Sequence, residues 1–424
     1  MTLSFPPPRR SRRARLRAVC LAACLLPVAA WAVEGQTPGL SRAVEAAWRR
    51  SVEARRAEGE SARADAGRRI ARSLAADAPS LSLSRNEGEW YGGARAGAGV
   101  ETEVGVSWPL WMPGQRRAAR DAAQADVAWS DANLAVARLE IAGQVREAAW
   151  DVATRQAELD LLTARLGFLR RLADSVDHRV AAGDLARIDA LSARADLLAA
   201  EAEVGDAKRA LHASHAHWRV LTGLDELPDT GEIENESHVD ADTLVAAAGQ
   251  PPALQAAELA LRRAEANLSA VRRSLGAPPE LTFGAKEESE GPGALGERSL
   301  TVELSIPLGL GARRDLARAQ AQTERDAAQA GLELARRRHA AELEEARLAI
   351  ELADRQLESE RERARLLAER VALMQRAFEA GEIDLAELLL TNRYSAEAEA
   401  DSARRHAEHG LAHARLLQVI GMLP

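Results

Sequence analysis

The sequence predicts a mainly helical, internally duplicated protein: long helical hairpins fit for an α-helical barrel, and short β-hairpins of membrane-spanning length. Three observations carry that expectation. Landmarks recur in order at a spacing of about 198 residues. Apolar residues step by 3 and 4 through long stretches without proline. Two segments before each long stretch alternate apolar and polar residues. Ser107-Trp108-Pro109-Leu110 returns as Ser305-Ile306-Pro307-Leu308, Ala182-Gly183-Asp184-Leu185 as Ala380-Gly381-Glu382-Ile383, and Leu221-Thr222-Gly223 as Val419-Ile420-Gly421. So long a unit is a whole-domain duplication, not a solenoid repeat. The expected division is a leader over 1–32, a first repeat over 33–224, an acidic linker over 225–242 and a second repeat over 243–424.

The leader comes first. Six arginines between Arg9 and Arg17, no acid, an apolar stretch from Ala18 to Ala30 and the Ala30-Trp31-Ala32 site describe a secretory signal peptide. Leu21-Ala22-Ala23-Cys24 also resembles a lipoprotein cleavage box, so lipidation of Cys24 stays open. Removing the leader makes the remainder more acidic than the whole chain's net −8, which leaves no basic face for nucleic acid. The two cysteines both precede residue 25, which excludes a disulfide scaffold and a cysteine-ligated zinc fold. Absence of an 18-residue apolar run excludes a multi-span helical membrane protein.

Each repeat then changes period in a fixed order. A helix is expected over about 40–76. Val100, Thr102, Val104, Val106 and Trp108 alternate with polar neighbours, as do Leu300, Val302, Leu304 and Ile306; their weaker partners are Leu81 and Leu83, then Leu281, Phe283 and Ala285. These form hairpins of about ten residues per strand, the length of a tilted transmembrane strand. A half-buried soluble sheet would show the same alternation. The aromatics Trp90, Tyr91, Trp108, Trp111 and Phe283 cluster here, as an interfacial girdle does. Pro109 and Pro113 end the strand, and a long helix follows to about residue 181. Its seam is Leu159, Leu162, Leu166, Leu169, Ala173, Val176 and Val180. Gly183 makes the hairpin tip, and the seam of the returning helix runs from Leu197 through Val204 and Leu211 to Trp218. The second repeat has the seam Ile350, Ala353, Leu357, Ala364, Leu367, Val371, Met374 and Phe378, with Gly381 at its tip.

Four strands cannot close a barrel, and open edges are not tolerated in lipid, so the chain is expected to oligomerise; three copies give twelve strands. Glu101, Glu103 and Glu303 fall on the polar face of their strands and are expected to line the barrel lumen. No enzymatic constellation occurs, and nothing calls for a cofactor or a resident metal. His406, His409 and His413 share one helix face and could meet a divalent cation, but polar residues on a solvated or inter-helix face account for them, as for His212, His215 and His217.

An order of helix, β-hairpin, long helix, glycine tip and helix, repeated behind a secretion signal, resembles the TolC-like family of outer-membrane efflux channels. The most specific motifs are the Pro-Leu strand exits and the tips Val180-Ala181-Ala182-Gly183-Asp184-Leu185 and Phe378-Glu379-Ala380-Gly381-Glu382-Ile383, followed by Asp189-Ala190-Leu191 and Glu387-Leu388-Leu389. The chain's near symmetry is similar to the family's divalent-cation, heavy-metal branch, the CzcC-like proteins. The resemblance implies a homotrimer in the outer membrane of a Gram-negative bacterium, embedded in outer-membrane lipid, with an α-barrel across the periplasm. It implies docking to a periplasmic adaptor protein and an inner-membrane pump of RND type or similar, for passive export of metal cations or drugs. It further implies a periplasmic gate at Glu387 and Asp189, and adaptor contacts at Gly183, Asp184, Leu185, Gly381, Glu382 and Ile383. Solvated helix-start acids and plain tight turns would look the same. Some members close the entrance with a Tyr and an Arg where this chain has Phe378 and Ile383, which puts that closing contact in doubt. Two further readings are a periplasmic adaptor, which carries one helical hairpin rather than two, and a soluble structural coiled coil, which needs neither β-segments nor a signal.

Overall fold

A computed structural model describes residues 39–89, 98–227, 241–274, 277–289, 296–308 and 311–424. The expected leader, Cys24, Trp90, Tyr91 and most of the acidic linker lie outside these residues. The first repeat comprises α1 (Leu40–Arg50), α2 (Val52–Arg72), β1 (Ser80–Glu89), β2 (Ala98–Pro109), α3 (Gln115–Ala182) and α4 (Arg187–Thr222). The same order returns as α5 (Ala241–Ala247), α6 (Pro252–Arg273), β3 (Glu280–Ser289), β4 (Glu297–Ser305), α7 (Gly311–Glu379) and α8 (Leu385–Ile420).

The long helices α3 and α7 have 68 and 69 residues, about 100 Å at ~1.5 Å per residue. The expected seams face their neighbours: Leu169, Ala173 and Val176 of α3, Ala200, Val204 and Trp218 of α4, and Ile350, Leu357 and Phe378 of α7 are buried. The helix expected as one piece over 40–76 is broken. Ser51 ends α1 and caps α2, its hydroxyl donating to the Trp48 carbonyl at 2.9 Å and accepting from Ala54 N–H at 3.1 Å. A serine that satisfies both helix ends stabilises the break by about 1 kcal/mol. The matching break before α6 is made by Pro251 and Pro252, with proline at the first helical position.

The helices lie side by side in the order α4 and α2, then α3, then α8 and α6, then α7. Beside α3 the shorter helices serve its two ends, α4 toward the tips and α2 toward the sheet. Asp126 of α3 ties this layer, at 3.3 Å from Arg63 of α2 and 2.7 Å from Arg263 of α6. Arg263 also lies 4.2 Å over the Trp129 ring. Trp48, Val145, Trp150 and Trp218 share one apolar cluster with α8 residues Ala407 and Ala414. Here α3 and α8 approach so closely that a Cβ on Gly410 would stand 2.0 Å from the Trp150 ring. The four strands form one antiparallel sheet in chain order, so β2 and β3 join the two hairpins and β1 and β4 are its edges. Among the described residues no helix is long and apolar enough to cross a membrane.

Candidate functional site at the hairpin tips and the sheet

Both tips turn on a glycine at positive φ, +89° at Gly183 and +77° at Gly381. Space does not select glycine here, since an added Cβ would meet nothing within 4 Å; the left-handed backbone does. Each tip satisfies its last helical carbonyls the same way. Gly183 and Asp184 N–H donate to the carbonyls of Val180 and Arg179, and Gly381 and Glu382 N–H to those of Phe378 and Ala377.

The returning helices start differently. Ala186 opens α4 without a capping side chain, and Asp189 reaches back, its Oδ2 accepting from Ala186 N–H at 3.1 Å. Asp384 caps α8, its Oδ1 accepting from Glu387 N–H at 2.8 Å. The two acids expected at the gate are thus not equivalent. Asp189 spends its carboxylate on its own helix, whereas Glu387 uses only its backbone N–H, and its side chain is exposed.

The two tips pack on one another inside a protomer. Leu172, Ala173, Val176, Ala193, Phe378, Leu385 and Leu388 form one apolar cluster, with Leu185 and Ile383 packed against it. At the tips Leu185 and Ile383 turn inward, whereas Gly183, Asp184, Gly381 and Glu382 face solvent together with Ala181, Ala182 and Ala380. Phe378 is 3% exposed. Arg179 of α3 clasps it, with Nη1 donating to the Phe378 carbonyl at 3.1 Å and the guanidinium 4.8 Å over the ring. Phe378 lacks a hydroxyl, and it is its ring and backbone carbonyl that meet Arg179 and tie α7 to α3 at the tips. A cation over an aromatic face contributes about 0.5–2 kcal/mol, depending on desolvation. Sequence reading missed Arg179, whose partner lies 199 residues away.

In the sheet, pairing places Leu81, Val106, Phe283 and Val302 in one row and Leu83, Val104, Ala285 and Leu300 in the next, all on one face. Most of these side chains are exposed, Leu300 at 88%. Trp108, Leu281 and Leu304 extend the band, and exposed Ile306 and Leu308 continue it beyond β4. From Leu300 to Leu308 it runs about 26 Å at ~3.3 Å per residue. Charge marks its far edge on the same face: Arg85 lies 2.6 Å from Glu87, and Arg298 3.1 Å from Glu287.

The opposite face is polar and carries Glu101, Glu103 and Glu303, as expected. It also carries Glu288 and Lys286, which the sequence alone did not single out. Glu101 stands directly opposite Glu288, and such a like-charge pair disfavours the sheet. Lys286 offsets it, with Nζ 3.1 Å from Glu101 and 3.3 Å from Glu288. The face is a partly neutralised acidic strip rather than three bare carboxylates. Of the girdle aromatics within the described residues, Trp108 and Phe283 are exposed on the apolar face. Trp111 Nε1 donates to the Ser73 carbonyl at the end of α2.

Of the histidines, His212 and His217 face solvent on α4. His406, His409 and His413 lie on the side of α8 that meets α7 or α3.

Residues 41–224 and 243–422 match the family described as outer membrane efflux protein. The cobalt-zinc-cadmium resistance protein CzcC of Cupriavidus metallidurans is 28% identical over 236 residues, 52% of this chain and 53% of that one. The chain thus spans about half the length of this curated relative. Among solved structures, CusC superposes with a TM-score of 0.74 at 14% identity, covering 92% of this chain and 96% of that one. The open state of the MtrE outer membrane channel of Neisseria gonorrhoeae gives 0.71 at 20% identity, covering 91% and 89%.

Proposed function

The chain belongs to the outer membrane efflux protein family, and from that premise we propose that it is the outer-membrane exit duct of a tripartite efflux system. It conducts passively and is not an enzyme. One observation carries this reading: the protomer is open on the same two flanks at both ends. The sheet ends in β1 and β4, each with its outer edge unpaired, and the helix layer ends in α4 with α2 on one side and α7 on the other. A flank that fits the opposite flank of a second copy builds a closed ring by rotation. Three copies give twelve strands, an even number that closes a membrane barrel and abolishes its edges. The apolar band then faces outer-membrane lipid, and the strip of Glu101, Glu103, Glu288, Glu303 and Lys286 faces the lumen.

The exposed side chains of Glu387 converge near the axis in this assembly and form the periplasmic entrance, with Asp189 in a lesser, helix-capping role. Gly183, Asp184, Gly381 and Glu382 form the adaptor-facing rim, with Leu185 and Ile383 behind it. The two repeats are each a complete helix–hairpin–helical-hairpin unit, divided as the sequence landmarks suggest. Kinship with a cobalt-zinc-cadmium resistance protein favours a divalent cation as cargo and an inner-membrane cation pump as partner. The duct itself is tested by mass measurement in detergent together with planar-bilayer recording. Trimers that form cation-preferring pores are expected; a folded monomer without conductance would overturn the reading.

A further inference from the structure

The hairpin of α7 and α8 brings together three ligating side chains for which the duct has no use. His409 and His413 are one turn apart on α8, the spacing at which two imidazoles of one helix face hold a zinc ion. Asp354 reaches them from α7, its Oδ1 2.8 Å from His409 Nε2. One ligand atom from each of the three lies within 4.8 Å of the others, and the two imidazole centroids are 4.8 Å apart. The heights agree along both helices. At ~1.5 Å per residue, Asp354 and His409 each stand about 36–38 Å from the tip.

The neighbourhood sorts the candidates. His406, the third histidine of that face, is engaged elsewhere: Arg361 Nη2 lies 3.1 Å from its Nδ1, and its ring meets Trp150 edge-on at 6.2 Å. Glu362 is paired with Arg365, whose hydrogen bond holds the carboxyl below the usual carboxylate range. His413 is buried and His409 nearly so, whereas Asp354 is exposed at the edge of a cleft of about 630 Å³ that Glu358 and Arg361 also line. A cation could enter by that cleft and meet a pre-positioned imidazole pair on the helix behind.

We propose that Asp354, His409 and His413 form a binding site for a divalent first-row transition cation of the Zn²⁺ or Co²⁺ class, which pins α7 to α8. Two neutral imidazoles and one carboxylate are the borderline donor set these ions take, at about 2.0–2.2 Å. Ca²⁺ and Mg²⁺ require all-oxygen shells and are excluded by the donors. Three protein ligands leave a fourth position for water from the cleft. Binding requires both rings in their neutral form. The site stands whatever the duct carries.

The test uses the full, untagged protein in detergent, titrated with Co²⁺ and followed by its visible d–d absorption. One Co²⁺ per chain is expected, displaced by Zn²⁺ and not by Mg²⁺. Asp354→Asn and His409→Gln should each weaken uptake by about tenfold or more, at least the loss seen for outer-shell partners. The double variant should abolish it while melting as the unliganded wild type does. His212→Gln with His217→Gln should change nothing. Wild-type uptake by the Asp354→Asn/His409→Gln protein, or uptake that follows His212 and His217, overturns the proposal, as does a wild type that takes up no Co²⁺.

Discussion

The long helices α3 and α7 are equivalent elements of the two repeats and differ by one residue in length, yet α3 buries sixteen residues and α7 six. The returning helices reverse the comparison, with seven buried in α4 and fourteen in α8. Position explains both. α3 and α8 lie inside the layer, whereas α4 and α7 are its flanks. Leu334, Leu348, Leu352, Leu366 and Leu373 of α7 and Ile188, Leu191, Leu198 and Val220 of α4 are correspondingly exposed. Duplication supplied two copies of one amphipathic pattern. A single chain satisfies one copy and leaves the other for a neighbouring molecule. Isolated apolar side chains on a surface mean little, but a helix-long row on each flank marks an interface.

The sharpest way to break this comparison is to place a charge on each long helix. Val145→Glu puts a carboxylate where the side chain is fully buried. An unpaired charge there should cost upwards of ~4 kcal/mol and prevent folding. Leu366→Glu with Leu373→Glu on the exposed side of α7 should leave helical content intact by circular dichroism while abolishing the trimer by mass measurement. A trimer that survives the α7 pair would mean that this flank is not the interface.

A smaller effect separates the two tips. Asp384→Ala removes the cap of α8 and should lower stability by about 1 kcal/mol in chemical denaturation. Asp189→Ala should cost less, because the bond it removes, to Ala186 N–H at 3.1 Å, is longer than the 2.8 Å bond that Asp384 makes. In bilayers, Glu387→Ala should relieve divalent-cation block applied from the periplasmic side, and Asp189→Ala should not. Equal relief by both would restore the equivalence that the repeat suggests and the caps deny.

The smallest effect compares the sheet's two charge types. Replacing Glu101, Glu103 and Glu303 by Gln should reduce cation preference in reversal-potential measurements. Lys286→Gln should raise it and destabilise the sheet slightly, since Glu101 and Glu288 then face each other unbridged. Opposite signs for these two variants place the strip in the lumen; no change from either would put it elsewhere.

Much of this architecture was legible in the sequence because it depends on local periodicity. Heptad seams, two-residue alternation and tip glycines are properties of neighbouring residues, and the buried seams and the Gly183 and Gly381 turns follow from them. The break at Ser51 was hidden, since a serine inside an alanine- and arginine-rich run reads as one more polar helix position. Contacts between distant elements were hidden for another reason. A heptad seam repeats every seven residues, so it says that two helices pack and not at which register. That register brings Arg179 to Phe378 and Asp354 to His409. Likewise, each hairpin was readable by itself, but the pairing of β2 with β3 that sets Lys286 beside Glu101 joins different repeats. The acids proposed for the gate were readable as positions, and only the cap geometry distinguished Glu387 from Asp189.

The free edges of the sheet bear on how such a chain reaches its destination. β1 and β4 each present a row of unpaired backbone groups, and the band between them is apolar. Until other copies arrive, this is a template for misdirected strand pairing. A solitary chain in aqueous transit is therefore safest with these strands still unformed and its helices already zippered. Strand closure, bilayer entry and association then become one event rather than three. Its rate rises steeply with local chain concentration, so biogenesis favours delivery of several chains to one patch of membrane within the lifetime of the unclosed state.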